Sequence, residues 1–289
     1  MRRNLVGLLA IFLLAACPAN VVRGGDDKKA ITRLNLAKDF LGKHQLEGAE
    51  TECNRAIALN PRLDEAWLMR GLVYFTHAVD TQRSLEVDSC LTGVDAEATH
   101  KDLDGYLAKA EADFAKAVEL TPDYGEAWSN RGAARALLED YQAAGEYFTK
   151  ALDYPAKLIS PGLTRASLGW ALFHQNKFVE AAKELRQALQ FQPNMCVATY
   201  RLARVYFARQ EWEKAAELFE KASNDPQCGL QEASFFLMKT SLQQGLVTVA
   251  RTARDACLKI SPQSCIASQC RADGAALGQA PATTPSGTP

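Results

Sequence analysis

The sequence is poor in the groups that carry out chemistry. Its four histidines, His44, His77, His100 and His174, are scattered, none at a ligand spacing such as HExxH, and it contains no CxxC pair, so no metal site is expected. No phosphate-cradling glycine loop and no nucleophile elbow occurs either. The chain therefore reads as a non-enzyme, with no catalytic residue and no cofactor or metal; an active site would have to hide in the insertion at about 76–104. Charge of one sign is lacking too. The 33 Lys and Arg against 34 Asp and Glu leave a net charge of -1, which gives no steering toward nucleic acid. The longest apolar run near the start, Leu5 to Ala16, is shorter than the ~20 residues that span a bilayer.

That run does have a role to play. It follows Arg2 and Arg3 and ends Leu14-Ala15-Ala16-Cys17, the charge, length and small-residue order of a secretory signal. The ending resembles the bacterial lipobox, in which the cysteine becomes the lipid-modified first residue. On that resemblance residues 1–16 are the signal, Cys17 is the lipid attachment and residues 17–29 are a tether. With Pro rather than Asp at position 18, the lipoprotein sorting rule implies an outer-membrane lipoprotein whose body faces the periplasm. An ordinary signal peptide with a chance cysteine is the competing reading. The eight cysteines agree with an oxidising compartment.

From Ala30 a period of about thirty-four residues repeats, with small residues where two helices cross and aromatics filling the gap, the tetratricopeptide (TPR) pattern. The second copy shows it best, with Trp67, Gly71, Tyr74, Ala110, Phe114, Ala117 and Pro122. The first has Ala37, Ala49, Ala56 and Pro61, with Cys53 at the aromatic position. Later copies carry Trp128, Gly132, Ala144 and Phe148; Gly169, Ala181, Leu185 and Ala188; Ala203, Tyr206, Ala215 and Phe219; and Leu237, Ala250 and Cys257. The expected fold is all-α, a right-handed α-solenoid of about six TPR helix pairs over residues 30–264. A long insertion, about 76–104, interrupts the second repeat, and residues 265–289 are expected to form a capping helix and a disordered tail.

In a TPR array the first helices line the concave face, with positions 2, 5, 9 and 12 of each period pointing into it. That frame selects Leu68, Leu72, Phe75, Leu163, Trp170, Phe173, Val197, Tyr200, Arg204, Phe207 and Phe235. So many large apolar residues on a face that is ordinarily polar suggest a groove for a partner segment, although internal packing would look the same. Asn130, Arg201 and Arg204 are fragments of the clamp by which some TPR domains grip a C-terminal carboxylate. Cys196 and Cys228 fall at neighbouring ends of one helix pair and are expected to form a bridge. Cys257 with Cys270 and Cys265 with Cys270 are alternatives, and a Cys53–Cys90 bridge would pin the insertion. Setting Cys17 aside leaves an odd number of cysteines and one unpaired thiol.

A lipobox, a tether, about six TPRs and distal cysteines together resemble the outer-membrane TPR lipoproteins of type IV pilus biogenesis, the PilF, PilW and Tgl family of pilotins. The resemblance implies a lipid-anchored binding protein whose partner is an outer-membrane secretin subunit of the PilQ kind, whose insertion and multimerisation it promotes. An adaptor for β-barrel assembly or for peptidoglycan hydrolases is the alternative. The membrane is met only through the N-terminal lipid, and no nucleic acid is involved.

Overall fold

A computed structural model describes residues 24–92, 96–226 and 228–278, and these form thirteen α-helices with no strand. The signal, Cys17 and the tail beyond Gly278 lie outside the described residues, as does the side chain of Cys90. Six antiparallel pairs follow in order: α1 (Gly24–Gly42) with α2 (Leu46–Leu59), α3 (Asp64–Thr92) with α4 (Ala96–Leu120), α5 (Gly125–Leu137) with α6 (Tyr141–Asp153), α7 (Pro161–His174) with α8 (Phe178–Phe191), α9 (Cys196–Ala208) with α10 (Trp212–Asn224), and α11 (Gln231–Gln243) with α12 (Val247–Ile260). A last helix, α13 (Cys265–Asp273), packs on α11 and α12. This is a TPR solenoid.

The repeat signature has a physical cause at each position. A small residue on the first helix lets the second helix's large one approach. The space a Cβ would need at Gly71 is filled by the Phe114 ring, at Gly132 by Phe148 and at Gly169 by Leu185. Phe114, Phe148 and Phe219 are fully buried, as are Ala110, Ala144 and Ala181. The Trp and Pro of the signature are also partners: Trp67 Nε1 donates to the Pro61 carbonyl at 2.9 Å, and Trp128 Nε1 to that of Pro122 at 2.8 Å. Each Trp thereby ties its helix to the turn before it.

The turns inside five of the six pairs, the first and the third to sixth, use one backbone device. His44, Glu139, Asn176, Gln210 and Gly245 all have φ between 57° and 72°, one per repeat. In each case the next residue's N–H reaches back across the helix end, as from Glu211 to the Tyr206 carbonyl at 2.9 Å and from Lys177 to that of Leu172 at 2.9 Å. These are Schellman caps, which satisfy carbonyls that the helix end would otherwise orphan.

Two expectations change. Residues 24–29, placed in the tether, are the first turns of α1; Ala30 and Leu34 on that helix are buried, so its inner face has a core to join. The insertion lengthens both helices of the second pair, to 29 residues in α3 and 25 in α4, where α5 and α6 have 13 each. At ~1.5 Å per residue α3 is about twice the length of an ordinary repeat helix. The added length forms an arm whose α3 touches α13 at the far end of the solenoid.

The cysteines divide by burial and position. Cys196 and Cys228 are joined, with Cα atoms 5.6 Å apart, and Cys257 is joined to Cys270 across 6.6 Å, fastening α13 to α12. Cys265 is disulfide-bonded as well, so its expected alternative pairing with Cys270 does not form. The Cys53–Cys90 bridge is likewise ruled out: Cys53 is buried and free. It takes the place of an aromatic in the core between α1 and α2, and burial pushes its thiol up to about 12, which keeps it protonated.

Candidate protein-binding groove

The first helices of successive repeats touch one another, α3 with α5, α5 with α7, α7 with α9 and α9 with α11, which puts them on the inside of the curve. The eleven expected groove residues lie on these helices but do not share one environment. Leu68, Tyr200 and Phe235 are only 6%, 9% and 5% exposed. All three occupy position 5 of the period. That position packs into the joint between consecutive first helices: Tyr200 lies 6.5 Å from Trp170 on one side and 6.4 Å from Phe236 on the other. In repeat three Ser129 holds the same place and hydrogen-bonds Thr164 at 2.9 Å across the joint. These residues are core, because close contact between adjacent first helices turns position 5 sideways rather than toward the axis.

Positions 9 and 12 remain half-buried: Leu72, Phe75, Trp170, Phe173, Arg204 and Phe207. Val197 is half-buried against the large distal core, and Leu163 at the start of α7 is 48% exposed. From α7 to α11 the partly open side chains join into one surface. Trp170 stacks on Phe173 with ring centres 4.9 Å apart, and Phe207 meets Phe236 edge to face at 5.3 Å. The Arg204 guanidinium sits 3.9 Å above Phe236, and lies 5.5 Å from the ring of Phe173 and 5.6 Å from that of Trp170. Arg204 also donates to the Tyr200 hydroxyl at 2.9 Å.

Three participants were not among the expected groove residues. Phe236 holds position 6, next to the buried Phe235, and lies under the Arg204 guanidinium. His174 stacks on Tyr141 at 3.9 Å and meets Trp170 edge-on at 4.6 Å. Arg201 lies 5.4 Å from the Trp170 ring and donates to the Ala166 carbonyl at 3.2 Å. Asn130, by contrast, turns its amide back onto the Glu126 carbonyl at 2.8 Å and is spent within its own helix.

The arm forms the opposite wall. A cavity of about 370 Å³ opens between Phe75 and Gln82 of α3, Ala133 and Ala136 of α5, and Trp170 and Arg201 beyond. A second, of about 510 Å³, is bounded by Leu85, His100 and Leu103 of the arm, Leu138, and Cys265 of α13. The arm thus crosses the concave side from the second repeat to the cap, leaving a cleft lined by aromatic rings and Arg201, with Arg204 beside the same Trp170 ring. Burial pulls Arg201 down to about 10. Burial lowers His174 as well, and the positive charge of Arg204 adds to that. Among the described residues no helix is long and apolar enough to cross a membrane, and no cluster of His, Cys, Asp and Glu could hold a metal ion.

Two stretches, residues 105–157 and 172–227, match the Tetratricopeptide repeat family. Among solved structures the chain is similar to PilW, described as a widely conserved type IV pilus biogenesis factor, with a TM-score of 0.67 and 20% identity, covering 84% of this chain and 98% of that one. It is similar to Pseudomonas aeruginosa PilF at 0.62 and 15% identity, covering 86% and 99%. It is also similar to the Cut9–Hcn1 assembly of the APC/C, at 0.65 and 15% identity, covering 86% of this chain and 43% of that one. Rat sperm-associated antigen 1 is 36% identical over 97 residues, a third of this chain and about a tenth of the rat protein. At these identities the structural likenesses show a shared solenoid. Since the solenoid is common to PilW, PilF and the Cut9–Hcn1 assembly, function has to be argued from the site.

Proposed function

We propose that this chain is a lipid-anchored TPR binding protein acting as a pilotin, which holds a segment of the type IV pilus secretin at the outer membrane and promotes its assembly there. The observation that carries this reading is the half-exposed aromatic surface running from Trp170 to Phe236, on the inner side of a solenoid that nearly spans the whole of PilW and PilF. Large rings kept partly open to solvent cost stability unless something covers them, and rings beside an arginine are the residue types from which binding hot spots are built. The lipobox resemblance at Cys17 supplies the membrane half of the proposal. An anchored groove meets a secretin segment at a far higher local concentration than a free one. Two disulfides in the distal half suit a periplasmic setting.

The test is the level of heat-resistant secretin multimers in outer-membrane fractions of a strain lacking the protein, with the wild-type chain restored as a control. Loss of multimers while monomer persists is expected. Unchanged multimers would overturn the pilotin reading in favour of a barrel-assembly or hydrolase adaptor.

A further inference from the structure

Arg201 and Arg204 lie one turn apart on α9 and both sit beside the Trp170 ring, yet among the described residues neither pairs with a carboxylate. Most of the other half-buried arginines have an acid partner, such as Arg70 with Asp113 at 2.7 Å, Arg131 with Glu111 at 2.8 Å and Arg165 with Glu184 at 2.7 Å; Arg251 instead gives two donors to the Leu277 carbonyl. Arg201 makes one hydrogen bond, to a backbone carbonyl, and Arg204 one, to a phenol, while Arg204 Nε is buried without a partner. A guanidinium carries five N–H donors and is costly to desolvate without a counter-charge. The carboxylates whose charge reaches this region, Glu139 at His174 and Glu232 at Tyr200, bond to neither arginine. The rings of Trp170, Phe173 and Phe236 stabilise the cations from their faces but leave most of the in-plane donors unspent.

The geometry points to a carboxylate-binding subsite in the groove: Arg201 and Arg204 receive an internal Asp or Glu side chain of the partner segment, and the neighbouring aromatic surface takes a large apolar residue beside it. An internal side chain fits better than a chain terminus, because Asn130, the amide that would complete a terminal-carboxylate clamp, is engaged with Glu126. From Arg201 the cavity runs on past Trp170 to Phe75 and Gln82, which gives the partner segment room beyond the bound side chain. The inference rests on the groove being the docking surface and names the chemistry it selects.

Two libraries of short peptides, blocked at both ends and alike except for a central Asp or a central Asn beside a large apolar residue, would be passed over the full chain. The Asp library should be enriched and its best members should bind ~10-fold or more tightly than their Asn counterparts, with the advantage shrinking as salt rises. Arg204→Gln should abolish the difference and Arg204→Lys should restore part of it, with melting temperature followed to confirm folding. A merely structural arginine would not move the second readout, the His174 titration followed by NMR. Bound Asp peptide should raise the His174 value by screening the two arginines, and Asn peptide should not. Equal recovery of the two libraries overturns the carboxylate subsite while leaving the groove a docking surface; recovery of neither overturns both. Secretin multimer levels report separately on the cellular role.

Discussion

Replacing glycine by alanine inside a helix ordinarily stabilises it, and this fold should reverse the sign at one position and keep it at another. At Gly71 an added Cβ would lie 2.6 and 2.7 Å from two atoms of the Phe114 ring, about 1 Å inside ordinary carbon–carbon contact. Phe114 is fully buried and cannot swing away without opening the joint between α3 and α4. Overpacking of this kind costs ~1–3 kcal/mol, against ~1 kcal/mol gained from helix propensity. Gly71→Ala should therefore destabilise the chain by up to ~2 kcal/mol, the deep overlap with a ring that cannot move placing the cost toward the upper end. Gly105, inside α4, has nothing within 4 Å of the same built atom, so Gly105→Ala should gain ~0.5–1 kcal/mol. Thermal unfolding followed by far-UV circular dichroism would place the two variants on opposite sides of wild type, several degrees apart at ~2–4 °C per kcal/mol. Both variants shifting the same way would refute the claim that glycine is required at Gly71 for clearance of the Phe114 ring.

Cys196→Ala removes a bridge that closes a separation of 32 residues; on the chain-entropy account it should cost about 3–4 kcal/mol, read as a lower melting temperature with little change in binding by the folded fraction. Gln210 is held at φ 61°, which is strained for any residue with a Cβ, so Gln210→Gly should raise stability by ~0.5–1 kcal/mol in denaturant unfolding, where an interior glycine would lower it. His174 has its value lowered from 6.5 in the folded chain by burial and by Arg204. Below that pH the unfolded chain takes up a proton that the folded chain refuses, so stability falls as pH drops through the window from about 6.5 to the folded value. His174→Gln should flatten the fall in melting temperature between neutral pH and about pH 5.5.

Most of the solenoid is visible in the sequence because the TPR signature is a list of clearances. Gly71 opposite Phe114, Gly132 opposite Phe148 and Trp128 reaching back to Pro122 are each fixed by one local contact, and a fixed spacing encodes such contacts directly. The groove is less visible because it depends on the angle between repeats. That angle turns position 5 into the joint, burying Leu68, Tyr200 and Phe235, and brings Phe236 over Arg204. The arm was hidden for a different reason. Residues 76–92 and 96–104 extend two helices already under way, and without the small-and-large alternation of a repeat they read as an insertion of unspecified form. Cys53 illustrates the limit of cysteine counting: parity requires a free thiol, and only burial in the first pair identifies which one it is.

The most direct measurement places a photo-crosslinking amino acid at Phe173, in the groove, or at Val179, 67% exposed on α8, and irradiates living cells. Crosslinks from position 173 to the secretin subunit, with none from position 179, are the predicted result. Crosslinks to the secretin from position 179 alone would contradict the account, since the partner would then lie on the outer helices and the aromatic cleft would be packing rather than a docking site.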